Sequence, residues 1–267
     1  MVEVRVYRPL AEICKMAGLF SASPYGTSSD DWTVSSIGSG KSLMCKAVIQ
    51  SERVRLMSVP LRNRMPADVW WPHPGAAFDV VAIAASAGGL RALTAVFSEL
   101  PADFPAAVTV VQHLDPRHRS LMAELLSRQS RLSVKQADEG DRLKPSSVYV
   151  APPDRHLLVN ADGTLSLSRT ELVNFLRPSA DLLFESVAAS FKDRAIAVVL
   201  TGTGSDGSKG LHAIKKMGGT IVSQDQGTSE FFGMPGAAIR TGLVDFVLPL
   251  KQIAAALTTL VRGEGHE

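Results

Sequence analysis

Three polar residues stand where apolar runs end in this chain, directly or in the turn that follows. Ser86 follows VVAIAA, His113 closes AAVTVVQH, and Asp206 follows AIAVVLTG in the turn TGTGSDGSKG. A hydroxyl, an imidazole and a carboxylate are the nucleophile, base and orienting group of triad chemistry, which recurs on unrelated folds in different chain orders. An imidazole with an ordinary pKa of about 6.5 can take a proton from serine at neutral pH. Each residue also has a plainer reading. Ser86 suits the cap of the helix after it, Asp206 suits the cap of its own following helix, and His113 suits a buried histidine with backbone partners. The turn AASAGG also has Ala84 where the G-x-S-x-G pattern needs glycine. It is the placement of all three at strand ends that favours the triad.

Competing motifs are weaker. HLDPRH lacks the spacing and the further ligands of a zinc site, and His118 within it reads as solvent-exposed. GSGKS at residues 38–42 has no strand before it and lacks the first P-loop glycine, and AASAGG is not G-x-G-x-x-G. No metal and no cofactor are expected.

The elements that must position these residues follow from periodicity. FDVVAIAA reads as a strand buried on both faces, and Leu90, Leu93, Val96 and Phe97 then recur at helical spacing. AAVTVVQH is a strand and HRSLMAELLSRQ a helix. SVYVAP, HLLVN and TLSLS are short strands, the last two joined by an Asp162-Gly163 turn. PSADLLFESVAASFK is a helix with Pro178 at its start, followed by the strand AIAVVLTG and the helix DGSKGLHAIKKMG. GTIVSQ, PGAAIRTG, LVDFVLPL and KQIAAALTTLV finish the chain as strand, helix, strand, helix. The alternation predicts an α/β fold: a doubly wound, mainly parallel sheet with helices on both faces and a small β-hairpin insertion. In such sheets ligands bind at the carboxyl ends of the strands, which is where Ser86, His113 and Asp206 fall.

Residues 1–77 read differently. They carry scattered Ser, Pro, Gly and Arg without a sustained period, and a poorly ordered extension is expected, with Met65 as an alternative start. The folded domain is expected over 78–264. Cys14 and Cys45 read as lone thiols. The net charge of +2 gives no ground for nucleic acid as a partner. No stretch approaches the roughly 18 apolar residues of a membrane span, and no signal peptide is visible, so a cytoplasmic protein without membrane insertion is expected.

From about Phe78 to Val261 the chain resembles the catalytic domain of the CheB protein-glutamate methylesterases. The resemblance rests on IAASAGG, VVQHL, YVAPPDRHL, LRPSADLLF, LTGTGSDGSKGL and FFGMPGAAI, in the family's order. It implies a triad of Ser86, His113 and Asp206. The implied reaction is hydrolysis of γ-glutamyl methyl esters on a methyl-accepting chemoreceptor or similar signalling protein, with glutamine deamidation in some members. It also points to backbone N–H groups at the Thr203 turn for the oxyanion, to Arg177 as a contact for an acidic receptor surface or as one half of an ordinary salt bridge, and to Met234 as packing near the site. A binding module with the same fold, docking a signalling partner without catalysis, is the alternative. Ala84 replaces the family's glycine, and Leu176 stands where histidine often precedes the RPS element. The family's regulated members begin with a receiver domain, and the shorter N-terminal part here suggests an esterase without phosphorylation control in cis.

Overall fold

The computed structural model describes residues 76–113 and 120–263, together with the backbone of two short strands nearer the N-terminus. The chain divides into two units, Met1–Val69 and Trp70–Glu267. In the first, Phe20–Ala22 and Trp32–Val34 pair antiparallel, with Ser21 opposite Thr33. The other expectations for residues 1–77, for Cys14 and Cys45 and for His118 lie outside the described residues.

The second unit alternates strands and helices: β1 (Val80–Ala85), α1 (Gly89–Glu99), β2 (Ala107–Gln112), α2 (Met122–Ser127), β3 (Ser133–Gln136) and β4 (Ser147–Val150). A hairpin of β5 (His156–Val159) and β6 (Leu165–Ser168) precedes α3 (Ala180–Phe191) and β7 (Ala195–Val199). Then come α4 (Gly210–Lys216), β8 (Thr220–Gln224), α5 (Gly233–Arg240), β9 (Phe246–Leu248) and α6 (Leu250–Arg262). Seven strands form one sheet in the order β9-β8-β7-β1-β2-β4-β3, every neighbouring pair parallel. This is the doubly wound α/β fold, with the hairpin outside the sheet. Among the described residues no helix is long and apolar enough to cross a membrane.

The central strands are continuous apolar runs because both faces are covered. All residues of β1, β2 and β7 are buried. Val80, Ala82 and Ala84 point into a core shared with Leu183, Phe184 and Val187 of α3, Leu211 and Ile214 of α4, and Leu157 of the hairpin. On the other face α1 packs against α6. At the amino ends of β1 and β7, Arg194 makes a two-pronged ion pair with the buried Asp79, at 2.5 and 2.7 Å.

Some boundaries differ from those read in the sequence. The helix expected over 118–129 is Met122–Ser127 within the described residues. Strand β3 was not anticipated: SVKQ is an edge strand with an exposed–half-buried pattern, and carries no apolar alternation to mark it. Helix α3 begins at Ala180, two residues beyond Pro178, and α4 begins at Gly210 rather than at Asp206. Ala84 is an ordinary strand residue paired with Val111 and Val199, so alanine carries no conformational penalty there. The left-handed position in that turn is Gly88, at φ 75°.

The shift of the α4 start has a physical reason. Asp206 does not cap α4; it accepts the N–H groups of Ala180 and Asp181 at the start of α3, at 2.6 and 3.3 Å. Asp181 returns the favour, accepting the N–H groups of Lys209 and Gly210 at the start of α4, at 3.0 and 2.9 Å. Each helix thus satisfies its unpaired amides with a carboxylate from the other's entry. Asp181 is 3% exposed, and its second oxygen has no partner among the described residues. Burial pushes its carboxyl above the usual range, its bonds to Gly210 and Lys209 oppose that, and the Asp206 charge adds to the rise.

Replacing Asp181 by alanine leaves two amides unpaired and should cost about 2 kcal/mol or more in denaturant unfolding. Asp181→Asn keeps the accepting oxygen and should cost less. A raised carboxyl favours the folded state below the ordinary value of about 3.9 and loses that advantage as pH rises through the raised one. Wild type should therefore lose stability relative to Asp181→Asn as pH rises above about 4, and parallel pH profiles would contradict this account.

Candidate active site

The three strands β7, β1 and β2 are neighbours, and their carboxyl ends carry the three residues singled out in the sequence. Ala85 is in register with Gln112, so Ser86 and His113 lie side by side one step beyond. The chain leaves β1 toward β2 and leaves β7 in the opposite direction toward β8, which opens a crevice at the strand ends. Across it, the loop 200–206 reaches over the end of β1 to His113.

The contact is direct. His113 Nε2 lies 2.8 Å from Asp206 Oδ2, with the two side chains 12% and 1% exposed. The carboxylate holds four donors. Oδ2 takes His113 and the Ala180 N–H, and Oδ1 takes the Ser179 hydroxyl at 2.9 Å and the Asp181 N–H. Burial works to raise its pKa, but the His113 bond, the Ala180 amide, the imidazole charge and the Ser179 hydroxyl more than offset it. The carboxyl is held below the usual range. An ionised carboxylate can only accept, so Nε2 carries the shared hydrogen, and Nδ1 of His113 makes no hydrogen bond among the described residues.

Ser86 is fixed through its backbone. Its N–H donates to Thr201 O at 3.0 Å, and its carbonyl accepts from Gly89 N–H and from Gln112 Nε2, both at 2.8 Å. Gln112 Nε2 also reaches the His113 carbonyl at 3.0 Å, so one buried amide ties the two turns together. Among the described residues the Ser86 hydroxyl makes no hydrogen bond, and α1 has no side-chain cap. The capping reading of Ser86 is therefore set aside.

The glycines here are spatial requirements. A Cβ on Gly89 would stand 1.9 Å from Gln112 Oε1. A Cβ on Gly202 would stand 2.4 Å from Met234 Sδ on one side and 2.8 Å from Ser86 Cβ on the other. Met234 is buried, packs against Gly202 and donates its N–H to Gly202 O at 2.8 Å. The N–H groups of Ala87, next in chain to Ser86, and of Thr203, next to the Gly202 that packs on Ser86, donate to no acceptor among the described residues. Ala87 was not anticipated, although the residue after a nucleophile is a common oxyanion donor. Gln112, Thr201, Gly202 and Ser179 were likewise not singled out; each acts through neighbours remote in sequence.

Arg177 lies elsewhere in function. Its guanidinium donates to Asp154 Oδ1 at 2.9 and 2.6 Å and to the carbonyls of Arg169 and Thr170, tying the segment before α3 to the hairpin. It is not a free cation awaiting an acidic surface. An open groove of about 570 Å³ runs from Ser86 past Leu90, Arg91, Thr94, Gln112 and Met122. Among the described residues no group of acidic, histidine or cysteine side chains is arranged to hold a metal ion.

Comparison with known proteins agrees in one direction. The family model described as CheB methylesterase matches residues 81–257. The chain is 40% identical over 221 residues to the "protein-glutamate methylesterase/protein-glutamine glutaminase of group 3 operon" of Rhizobium meliloti, covering 83% of this chain and 62% of the relative. It is 37% identical over 273 residues to "protein-glutamate methylesterase/protein-glutamine glutaminase 4" of Myxococcus xanthus, covering 99% of this chain and 75% of that one. The chain thus spans between three-fifths and three-quarters of the length of these two relatives. The crystal structure of the Thermotoga maritima CheB methylesterase catalytic domain superposes with a TM-score of 0.67 at 40% identity, over 69% of this chain and 99% of that one.

Gly202→Ala tests whether the squeezed glycine sets the serine. The added methyl must push Ser86 or Met234 aside, and a displacement near 1 Å costs about 10²-fold in reactivity. Covalent labelling by a fluorophosphonate should slow by about that factor, and labelling at the wild-type rate would show that the turn has slack.

Proposed function

The chain belongs to the CheB methylesterase family, and on that footing we propose that it is a serine hydrolase acting on γ-glutamyl methyl esters of a chemoreceptor or related signalling protein. The observation that carries this reading is the buried Asp206 carboxylate bonded to His113 Nε2 beside Ser86. It fits an imidazole held with its basic nitrogen, Nδ1, available to a serine. The activity named for the relatives supports the substrate class.

Ser86 Oγ attacks the ester carbonyl as His113 Nδ1 takes its proton, and Asp206 stabilises the resulting imidazolium. The oxygen of the tetrahedral intermediate lies toward the unpaired N–H groups of Ala87 and Thr203, each such donor being worth about 3 kcal/mol. Collapse breaks the C–O bond to the methoxy group, which leaves as methanol with the proton from His113. Water, deprotonated by the same nitrogen, then releases the glutamate and restores Ser86. A glutamine amide can follow the same course with ammonia as the leaving group. The proton transfer needs a hydrogen bond between Ser86 and His113, and catalytic hydrogen bonds of this kind commonly tighten only with substrate bound. We place the enzyme in the cytoplasm, beside the receptor's signalling helices.

Methanol release from a methylated receptor preparation should vanish in Ser86→Ala. In Asp206→Asn, kcat should fall by about 10³–10⁴, since the imidazole loses its orienting charge. Turnover retained by a folded Ser86→Ala protein would remove the serine from the mechanism. A wild-type protein that neither labels with fluorophosphonate nor releases methanol would instead be a docking module.

A further inference from the structure

Ser179, which donates its hydroxyl to Asp206, is itself held by a residue of the hairpin insertion. His156, in β5, is completely buried. Its Nδ1 faces the Ser179 N–H at 3.1 Å, and its Nε2 faces the Glu171 carbonyl at 3.1 Å. Both neighbours have fixed roles. A backbone N–H can only donate, so Nδ1 is unprotonated, and a carbonyl can only accept, so Nε2 carries the hydrogen. The imidazole is neutral and in one tautomer. Ser179 in turn directs its hydroxyl hydrogen at Asp206 Oδ1.

We infer that Ser179 and His156 are positioning residues for the triad carboxylate: the buried imidazole fixes the Ser179 backbone, and the Ser179 hydroxyl fixes the plane of Asp206 toward His113. The Ala180 amide meets Oδ2 closely, at 2.6 Å, but the Asp181 amide reaches Oδ1 only at 3.3 Å, so the closer hold on Oδ1 is the Ser179 hydroxyl at 2.9 Å. The third donor, on Oδ1, aims Oδ2 at the imidazole. The hairpin is then part of the catalytic apparatus without touching substrate. The titratable groups set against Asp206 are His113, from the end of β2, and Asp181, from α3.

A role in orientation differs from a role in folding through the pH profile. Without the Ser179 hydroxyl, Asp206 is more basic and holds the His113 imidazolium more tightly. The acid limb of the rate of fluorophosphonate labelling should move to higher pH. Ser179→Ala should slow labelling about tenfold, the equivalent of one hydrogen bond to a charged group. His156→Asn, which keeps an acceptor for the Ser179 N–H, should label within a few-fold of wild type, whereas His156→Leu should be as slow as Ser179→Ala. A folded Ser179→Ala protein whose acid limb stays in place overturns the inference, as does His156→Asn as slow as His156→Leu. If the variants do not fold, nitrogen-15 spectra of wild type decide, since a His156 tautomer other than Nε2–H overturns it. The inference rests on the esterase reading only for its natural substrate. Wild type that labels without releasing methanol from methylated receptor would defeat that substrate, and the labelling comparison would still stand.

Discussion

One buried carboxylate organises this molecule. Asp206 closes the amino end of α3, receives the imidazole of His113 and takes the hydroxyl of Ser179, so it joins three parts of the chain in a single group. An ionised carboxylate at 4% exposure is unfavourable unless its lone pairs are met, and four donors meet them here. The same bonds that make the charge tolerable also fix its direction. Stability and orientation therefore share one set of contacts, and the reciprocal use of Asp181 at α4 locks the two helix entries into one geometry.

The opposite wall of the site is governed by space rather than charge. Ser86 is pressed against the 201–202 turn, with its amide on Thr201 and its Cβ against Gly202, while Met234 closes Gly202 from the far side. Thr201 is itself held, its amide by Gln224 Oε1 and its hydroxyl by the backbone of Phe231. The serine thus inherits its position from β7, β8 and the α5 entry together. Among the described residues its hydroxyl makes no hydrogen bond, the condition that the proposed nucleophile needs.

Much of this was legible in the sequence. The buried strands VVAIAA, AVTVVQ and AIAVV declare themselves by their mainly apolar residues, and polar residues in the turns that follow mark the sheet rim. The parallel fold and the gathering of Ser86, His113 and Asp206 at one rim follow from that. What was not legible depends on partners far along the chain. Asp206 looks like a cap for its own helix because local pattern cannot show that α3 needs it more. Arg177 stays open between a receptor contact and a salt bridge in the sequence because its partner Asp154 lies 23 residues away, across a hairpin. Strand β3 is polar because it lies at an edge, and edges carry no hydrophobic signature. His156 sits in a strand whose pattern is apolar, and only its buried neighbours reveal a purpose.

The order of strands in the sheet has a consequence for how the protein is made. Strand β1 lies at the centre, with β2 on one side and β7 on the other, and Val80 pairs with Ala195. The second partner of the central strand is therefore synthesised 115 residues after the first of these residues, the difference between positions 195 and 80. At about 5–20 residues per second, a ribosome leaves one edge of an entirely apolar strand unpaired for roughly 6 to 23 seconds. During that interval the nascent chain presents the kind of open edge that recruits other strands. Contacts so distant in sequence also form slowly. The arrangement that brings Ser86, His113 and Asp206 to one rim makes this chain dependent, while it is being born, on whatever shelters that edge.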